Sequence, residues 1–401
     1  MEFVYFDNSA GTKTDDRVIK AMMPFFTDKF GNPSAQFYPA GSEALEAVGE
    51  ARGRVAKLIN CAPDEIIFTS CATESNNLAV SGLAHANRDR GNHIIFSAIE
   101  HYSVMYQKER LEKEGFKVTV LPVDKTGLID LKLLEKELRK DTVLVSVILA
   151  SGEIGTIEPA AAISGLLRDR GVLFHTDATA ACGVIPVDMQ AIRADAMTFS
   201  ASSMHGPKGA AALYLKNGTR LRPLMSGGYQ ERGFRSGTEN VPAIAGFGKA
   251  AELAAVEMPS RLAAVGVLSG KLAAGLPASS VYLHFTGHPV TRLPNIVSFW
   301  IEYIEGESIL LWLSASGVAA SSGSACSSNI SGRDERDLSA SHVLTAIGVP
   351  SDICAGSISF SLSSRNTEAE VDYVLKIMPE ITSKLMSMSP WYGDKIKKEG
   401  K

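Results

Sequence analysis

Two polar segments of this chain directly follow short apolar runs and could take part in chemistry. The segment Thr69-Ser-Cys-Ala-Thr-Glu-Ser-Asn-Asn77 is predicted to end a strand and open a helix, so free backbone N–H groups and hydroxyls would converge where an anion binds. In His175-Thr-Asp177, a carboxylate at a strand end can pair with a protonated pyridine nitrogen. Each pattern is weak alone, because such turns and such Asp residues commonly only cap helices.

A free thiol is the other candidate for chemistry. The chain has five cysteines, Cys61, Cys71, Cys182, Cys326 and Cys354. Their odd number and wide scatter, without CxxC or Cys/His clustering, argue against structural disulfides and a zinc site. No metal is therefore expected, and any cysteine chemistry should rest on a single thiol such as Cys326.

The elements that must position these residues alternate along the first half of the chain. Between about residues 60 and 215, β-rich runs alternate with helical patterns, which predicts an α/β fold with a mostly parallel sheet covered by helices. The predicted strands are Glu65–Thr69, His93–Phe96, Lys117–Leu121, Val143–Leu149, Val172–Phe174 and Met197–Phe199. Ligands of such sheets bind at the carboxyl ends of the strands, where the polar segments lie.

The rest of the chain predicts a smaller C-terminal domain. A helical stretch from Val241 to Leu276 is expected to break near Pro259, and strands are expected near 295–300 and 357–362. Thr367 and Glu370 have the spacing of a capping box that opens a closing helix. The predicted domains are an arm over 1–15 that packs with the small domain, a large domain over 16–260 and a small domain over 261–401.

Composition narrows the function classes. The formal charge is -4 and no Lys/Arg block is present, which argues against nucleic acid or an anionic membrane as the main partner. The N-terminus has no signal-peptide pattern and no apolar run is expected to span a membrane, so a cytoplasmic protein is expected.

Taken in order, the motifs resemble those of the cysteine desulfurases, in the housekeeping and nitrogen-fixation branch of the class V aminotransferase-like proteins. The agreement runs along nearly the whole chain, through Tyr5-Phe-Asp-Asn-Ser-Ala10, Gly31-Asn-Pro33, Thr73-Glu-Ser-Asn-Asn77, Glu100-His101, Glu153-Ile-Gly155, Asp177-Ala-Thr179, Gly206-Pro-Lys-Gly209, Arg235-Ser-Gly-Thr-Glu-Asn240, Ser321-Ser-Gly-Ser-Ala-Cys326 and Phe360-Ser-Leu362. The resemblance implies a homodimer of fold-type I, the aspartate aminotransferase-like fold, with pyridoxal phosphate as its cofactor.

The same resemblance implies roles for individual residues. It places the cofactor phosphate and ring against Thr73, His101, Asp177, Ser200, Ser202 and, from the partner subunit, Thr238. His101 would stack on the ring and help proton transfer, and Asp177 would pair with the pyridine nitrogen. Cys326 would be the nucleophile that takes sulfur from the cofactor-bound cysteine and leaves as a persulfide.

The chain departs from the family in the cofactor pocket. Aligned without a gap, Phe199-Ser-Ala-Ser-Ser-Met-His-Gly-Pro-Lys208 puts Ser202 at the family's His and Ser203 at the lysine that attaches the cofactor. Lys208 belongs to the following turn and is not expected to replace that lysine. Three further positions lack the side chains of the family. Gly152 stands where the family has an Asn at the cofactor, and Ala180 stands where it has a Gln. Ser359 stands where the family has the Arg that binds the substrate carboxylate.

These departures leave several functions open. The first is a sulfur-handling protein of iron-sulfur cluster or thio-cofactor assembly, impaired in cysteine desulfuration, that carries sulfur on Cys326 from sulfide or a persulfide. The second is an active desulfurase with non-covalent pyridoxal phosphate, and the third is a non-catalytic scaffold or regulatory subunit. A different reaction in the altered pocket is a fourth.

Two C-terminal features support a protein partner. The tail Ser389-Pro-Trp391 is similar to the segment with which this branch docks its iron-sulfur scaffold. The segment 327–340 is rich in Gly, Ser and charge and is predicted to be a mobile loop that widens the reach of Cys326, which is also considered as a transient cluster ligand.

Overall fold

A computed structural model describes residues 3–322, 341–350 and 357–398. Cys326 and the predicted loop over 327–340 lie outside these ranges, as does Cys354. The strands are β1 Val4–Tyr5, β2 Ile66–Thr69, β3 His93–Ser97, β4 Lys117–Leu121, β5 Thr142–Ser146, β6 Leu173–Asp177, β7 Ala196–Ser200, β8 Ala211–Leu215, β9 Leu283–Phe285, β10 Ile296–Ile301, β11 Val318–Ala319 and β12 Ile358–Ser361.

The helices cover these strands. They are α1 Asp16–Met22, α2 Pro39–Leu58, α3 Ala72–Ala86, α4 Tyr102–Met105, α5 Gln107–Lys113, α6 Leu131–Glu137, α7 Ala160–Arg168, α8 Met189–Ile192, α9 Val241–Gly275, α10 Gly306–Ala315, α11 His342–Ala346, α12 Glu368–Met388 and α13 Pro390–Lys398.

The large sheet has seven strands in the order β2-β8-β7-β6-β5-β3-β4. Only β8 runs against its neighbours β2 and β7, whereas the other pairs are parallel. Every residue of β2, β3, β5, β7 and β8 is buried, as expected for strands covered by helices on both faces. The predicted α/β class with a mostly parallel sheet is therefore confirmed.

The expected break at Pro259 is wrong. The helix α9 runs through this proline without interruption. Proline has a helical φ but removes one backbone hydrogen bond, and burial on both sides of it offsets that loss. Ala250, Ala251 and Ala254 lie in the core under the large sheet, whereas Leu268 and Leu272 lie in the core of the C-terminal part.

This helix also bears on the membrane expectation. Contrary to the sequence analysis, the helical segment Val241–Ser279 is long and apolar enough to pass a test for a membrane span. Phe247 and Leu272 of α9 are fully buried against other parts of the chain. Such contacts are those of a helix that crosses a protein core.

The C-terminal part is a three-stranded sheet, β12-β10-β9, covered by α9, α10 and α12. The N-terminal arm joins it, because β1 pairs in parallel with β11 and Phe6 contacts Phe360 with ring centroids 5.8 Å apart. Val4 and Phe6 belong to the same buried cluster as β10 and β12. The division at 15/16 and 260/261 stays a prediction.

The predicted capping box opens α12. Thr367 Oγ1 accepts from the backbone N–H of Glu370 at 3.3 Å, and the Glu370 carboxylate accepts from the backbone N–H of Thr367 at 2.6 Å. These bonds satisfy two N–H groups that the first turn of a helix leaves without an internal partner.

We expect Thr367→Ala to lower the free energy of unfolding by about 1 kcal/mol, because the capping hydroxyl is lost. Urea unfolding followed by circular dichroism measures this. Ser387→Ala is the matched control, since its hydroxyl bonds the carbonyl of Lys384 near the other end of α12 and caps no N-terminus. Equal losses in the two variants would contradict the capping role.

Candidate functional site

The register of the large sheet brings its polar strand ends to one edge. Ser146 lies beside His175, Asp177 beside Thr198, and Thr69 and Ser200 flank Ala211 from opposite sides. The start of α3, Asp177 and the turn after β7 therefore meet at the carboxyl ends of the parallel strands, as the sequence predicts.

The N-terminus of α3 is suited to an anion. Its N-cap residue, Cys71, makes no side-chain capping bond, and Thr73 lies exposed in the first turn. At the end of β7, the hydroxyls of Ser200 and Ser202 lie 3.0 Å apart. Backbone N–H groups at a helix start together with hydroxyls can bind a phosphate.

Asp177 and His101 are connected through two side chains that the sequence analysis did not assign. The Asn76 amide donates to Asp177 Oδ2 at 2.7 Å and to Ser103 Oγ at 2.8 Å, and Ser103 Oγ lies 2.8 Å from His101 Nδ1. His101 Nδ1 also accepts from the backbone N–H of Ser103. A neutral His101 therefore carries its proton on Nε2.

The carboxyl group of Asp177 is fixed on both oxygens. Oδ1 accepts from the backbone N–H of Thr179 at 2.9 Å, and Oδ2 accepts from Asn76. Beside it, the Thr179 hydroxyl and the Asn76 amide oxygen are buried without hydrogen-bond partners. A polar ligand beside this buried carboxyl group would supply the partners that these two atoms lack.

Behind Asp177, burial sets the charge of its neighbours. Burial raises the pKa of Glu100 to about 8, although Ser97 and the backbone N–H of Ile148 donate to its carboxyl group. Burial lowers the pKa of His175 to about 4. Both groups are neutral at pH 7, so Glu100 adds no negative charge beside Asp177.

Ser203 lies in the short helical turn Ala201–Met204 that follows β7. Its hydroxyl donates to the backbone carbonyl of Ser200 at 2.9 Å. The turn closes tightly at Gly206, where a Cβ would lie 2.7 Å from the carbonyl oxygen of Ala201. The tight turn fixes position 203 at the end of β7, and that position offers a hydroxyl in place of an amine.

Lys208 points to the N-terminal arm. Its Nζ donates to the backbone carbonyl of Thr12 at 3.3 Å. Thr12 in turn donates its hydroxyl to Ser202 O at 2.7 Å and accepts from the backbone N–H of His205 at 2.9 Å. The amine is therefore part of the contact between the arm and this turn.

The other positions expected to depart from the family have small side chains around one loop. A Cβ built on Gly152 would lie 3.5 Å from the Cβ of Ala180, so the two positions face each other. Ser359 is buried in β12, and its hydroxyl donates to the backbone carbonyl of Glu153 at 3.2 Å. Position 359 therefore offers a hydroxyl and no guanidinium group.

Glu153 is a buried carboxyl group that the sequence analysis quoted only as part of a motif. Burial raises its pKa to about 7. Ser341 Oγ donates to Oε2 at 2.8 Å, whereas Oε1 is buried without a partner. Buried acids of this kind often mark functional sites, and this one lies next to Gly152 and Ser359.

Thr238 is exposed in the loop before α9. The loop is tied to the start of α3 by the ion pair of Arg235 Nε with Glu74 Oε1 at 2.9 Å. Next to this region lies an open cleft of about 370 Å³ lined by Thr73, Asn77, His101, Tyr102, Ser103, Tyr106, Gln107 and Arg110. The cleft gives access to Thr73 and His101 from the surface.

Comparison with known proteins identifies the family of this chain. Residues 4–374 match the family model described as Aminotransferase class-V. The chain belongs to this family. Cysteine desulfurase IscS of Methanosarcina thermophila is 46% identical over 387 residues, which cover 96% of this chain and 94% of that protein. The chain is therefore a member of the class-V aminotransferase family that is similar to cysteine desulfurases.

Solved structures agree with this placement. A NifS-like protein superposes with a TM-score of 0.87 at 39% identity over 96% of this chain and 100% of its own. SspA in complex with cysteine superposes with a TM-score of 0.77 at 31% identity over 91% of this chain and 100% of its own. The family resemblance seen in the motifs is thereby confirmed.

The structure thus brings together most of the predicted site residues. Thr73, Asp177, Ser200, Ser202 and His101 lie at one sheet edge, with Ser203, Gly152, Ala180 and Ser359 around it. The sequence motifs did not point to Asn76, Ser103 or Thr12 individually. Asn76 lies within a quoted motif and Ser103 two residues from His101, so a helical projection of α3 and α4 is the signal that could have found them.

We expect no covalently bound pyridoxal phosphate in the purified protein, because Ser203 has no amine and the Lys208 amine binds the arm. Borohydride reduction followed by peptide mapping tests this. Ser203→Lys is the positive control, since it restores an amine at the end of β7. A pyridoxyl group on Lys208 of the unmodified chain would overturn the assignment.

We also expect Glu153→Gln to change how stability depends on pH. Unfolded chains release this proton near pH 4.5, but the folded protein holds it to about pH 7, so Glu153 stabilises the folded state less and less as pH rises between these values. Relative to wild type, the free energy of unfolding of the Gln variant should rise by up to about 3 kcal/mol across this window. Above the window the difference should stay constant.

Urea unfolding at pH 4.5, 6, 7 and 8 measures this difference. Glu112→Gln is the control, because it removes a carboxylate that is 44% exposed. A difference between the Glu153 variant and wild type that does not vary with pH would show that this carboxyl group titrates normally.

Proposed function

We propose that this chain is a sulfur-transfer protein of the cysteine desulfurase family that carries sulfur as a persulfide on Cys326 and is impaired in desulfuration of cysteine. The observation that carries the proposal is the hydroxyl of Ser203 at the end of β7, together with the use of the Lys208 amine elsewhere. The missing guanidinium at Ser359 supports it further.

The residues present fit pyridoxal phosphate held by non-covalent contacts. Thr73, Ser200 and Ser202 would hold the phosphate, Asp177 the pyridine nitrogen, and His101 the ring face. The buried, unpartnered atoms beside Asp177 support this. When bound, the cofactor supplies an electron sink for bonds at the α-carbon of an amino acid. Gly152 and Ala180 offer it no polar side chain, and Ser203 no covalent link.

Sulfur transfer on Cys326 needs no cofactor when the donor is a persulfide. The Cys326 thiolate attacks the outer sulfur of the donor, the sulfur-sulfur bond breaks, and the donor leaves as a thiolate that takes up a proton. Sulfide as a donor would require an oxidant, so a persulfide is the donor we propose. Passing the sulfur to an acceptor thiol repeats the same exchange.

One observation favours a second candidate, a desulfurase that works with non-covalent pyridoxal phosphate. The hydrogen-bonded chain from Asp177 through Asn76 and Ser103 to His101 is complete. Such a chain orients Asp177, the proposed partner of the pyridine nitrogen, and the imidazole of His101 with its proton on Nε2. Loss of the lysine as a proton shuttle would still lower the rate by about 10²- to 10⁴-fold.

We further propose a homodimer and an iron-sulfur scaffold or other sulfur acceptor as partner. Large apolar side chains are exposed on one stretch of the N-terminal region and on the loop before Thr238, which is typical of an interface between subunits. They include Met23, Phe26, Phe30, Phe37, Tyr38, Leu224, Met225 and Tyr229. The tail helix α13 ends the described chain with Trp391 exposed.

Mass spectrometry of the protein and its peptides tests the carrier role. We expect glutathione persulfide to add sulfur to Cys326, and cysteine alone to add none. Cys326→Ser should lose this sulfur, whereas the matched control Cys71→Ser should keep it, because Cys71 is exposed at the start of α3 but is not the proposed carrier.

The other incubations of the same experiment distinguish the carrier role from the alternative functions. Rapid loading of Cys326 by cysteine plus pyridoxal phosphate would favour the second candidate over ours. No sulfur on Cys326 under any condition, with unchanged cluster assembly by Cys326→Ser, would leave a scaffold or regulatory subunit.

A further inference from the structure

A second cavity, of about 50 Å³, lies beside the turn that carries Ser203. It is lined by residues of the N-terminal arm, of this turn, of α9 and of the C-terminal part. The polar side chains around it include those of Asn8, Thr12, Ser203, His205, Arg261 and Asn295. None of its lining residues also lines the open cleft at Thr73 and His101, so the two spaces are separate.

Asn295 supplies this cavity with a polar group that needs a partner. The residue is only 8% exposed, and its amide oxygen Oδ1 is buried without a hydrogen-bond partner among the described residues. The backbone fixes its position, because the N–H of Leu362 donates to the Asn295 carbonyl at 2.8 Å and β10 begins at the next residue. A buried amide without a partner lowers stability, which favours a ligand that donates a hydrogen bond to Oδ1.

Arg261 gives the cavity a positive charge. Among the described residues that line it, Arg261 is the one side chain charged at pH 8, because burial lowers the pKa of His205. Its guanidinium belongs to a network in which three guanidinium groups share two carboxylates. The members are Arg17, Arg261 and Arg365 with Asp15 and Glu257. Three positive charges on two negative ones leave one positive charge in excess, which attracts a monovalent anion.

The volume of the cavity limits the size of this anion. A water-sized group needs roughly 10–15 Å³, so about four such groups fit. Water alone would supply a donor to Asn295 but would not balance the charge. An oxyanion of four non-hydrogen atoms fits the volume, and one that keeps an O–H group can also donate to Oδ1.

We infer that this cavity is a binding site for a small monovalent oxyanion that keeps one O–H group, with bicarbonate as its probe. The O–H group donates to Asn295 Oδ1, and the other oxygens accept from the guanidinium of Arg261. The arm, the turn after β7 and the C-terminal part all line the cavity, so the bound anion connects them. The site uses neither Cys326 nor pyridoxal phosphate, and it is tested without any measurement of sulfur transfer.

Titration of ¹³C-labelled bicarbonate with the full chain at pH 8, followed by ¹³C NMR, measures binding. Nitrate, added as a competitor, is the matched control ligand, because it has the same planar shape and charge but no hydrogen-bond donor. We expect bicarbonate to bind about tenfold more tightly than nitrate, since only bicarbonate can donate to Asn295 Oδ1. Equal affinities for the two anions, or no binding of bicarbonate, would overturn the inference.

Two variants of Asn295 test the amide. Asn295→Leu should weaken bicarbonate binding about tenfold and leave nitrate binding unchanged, because only the first anion uses Oδ1. Asn295→Asp keeps the size of the side chain and adds a negative charge, so it should weaken the binding of both anions. Circular dichroism checks that each variant is folded. Unchanged bicarbonate binding in a folded variant would show that Asn295 does not contact the anion.

Arg261→Gln tests the charge. We expect it to weaken the binding of both anions about tenfold, because the charge-assisted hydrogen bond is lost. Arg17→Gln is the matched control: Arg17 also binds Glu257 but does not line the cavity, so binding should stay within about twofold of wild type. Equal losses in the two variants would contradict a contact with Arg261. In crystals soaked with bicarbonate we expect the anion between Asn295 and Arg261, whereas ordered water alone would reject the site.

Discussion

The parallel register of the large sheet is the constraint on which the site depends. Parallel strands with aligned ends deliver their last residues to one edge, so Ser146, Asp177 and Ser200 are neighbours although they are far apart in sequence. Helix α3 begins at the same edge because β2 runs in the same direction as β7, on the other side of β8. The remaining polar contacts refine positions that the register has already set.

Within that frame, hydrogen bonding decides which side chains are held and which are free to bind something else. Asn76 connects Asp177 to Ser103, and Thr12 connects the arm to the turn at Ser202. The amine of Lys208 is engaged in this second contact. A fold that keeps these contacts keeps the shape of the pocket whichever side chain stands at position 203, so fold and activity can separate.

Much of this arrangement could be predicted from the sequence. Short apolar runs followed by polar residues indicated the strands and the edge at which Thr73 and Asp177 meet. The helix through Pro259 could not be predicted in this way, because local propensity disfavours it and the burial of Phe247 and Leu272 that offsets the loss comes from distant segments. The contacts of Glu153 with Ser341 and Ser359 join residues 188 and 206 positions apart, so no local pattern reveals them.

The serines at positions 203 and 359 bear on the charge of the pocket. A guanidinium at position 359 would place a positive charge beside Glu153, whose backbone carbonyl accepts from Ser359, and a nearby positive charge favours an ionised carboxyl group. With serine at position 359, burial raises the pKa of Glu153 to about 7, and burial raises that of Glu100 to about 8. Glu100 then holds its proton at pH 7, and Glu153 is divided between its neutral and ionised forms. The bonds from Ser341 and Ser359 to Glu153 need no positive charge in the pocket. The hydroxyls of Ser341 and Ser359 therefore keep hydrogen-bond acceptors on Glu153 without a positive charge at position 359.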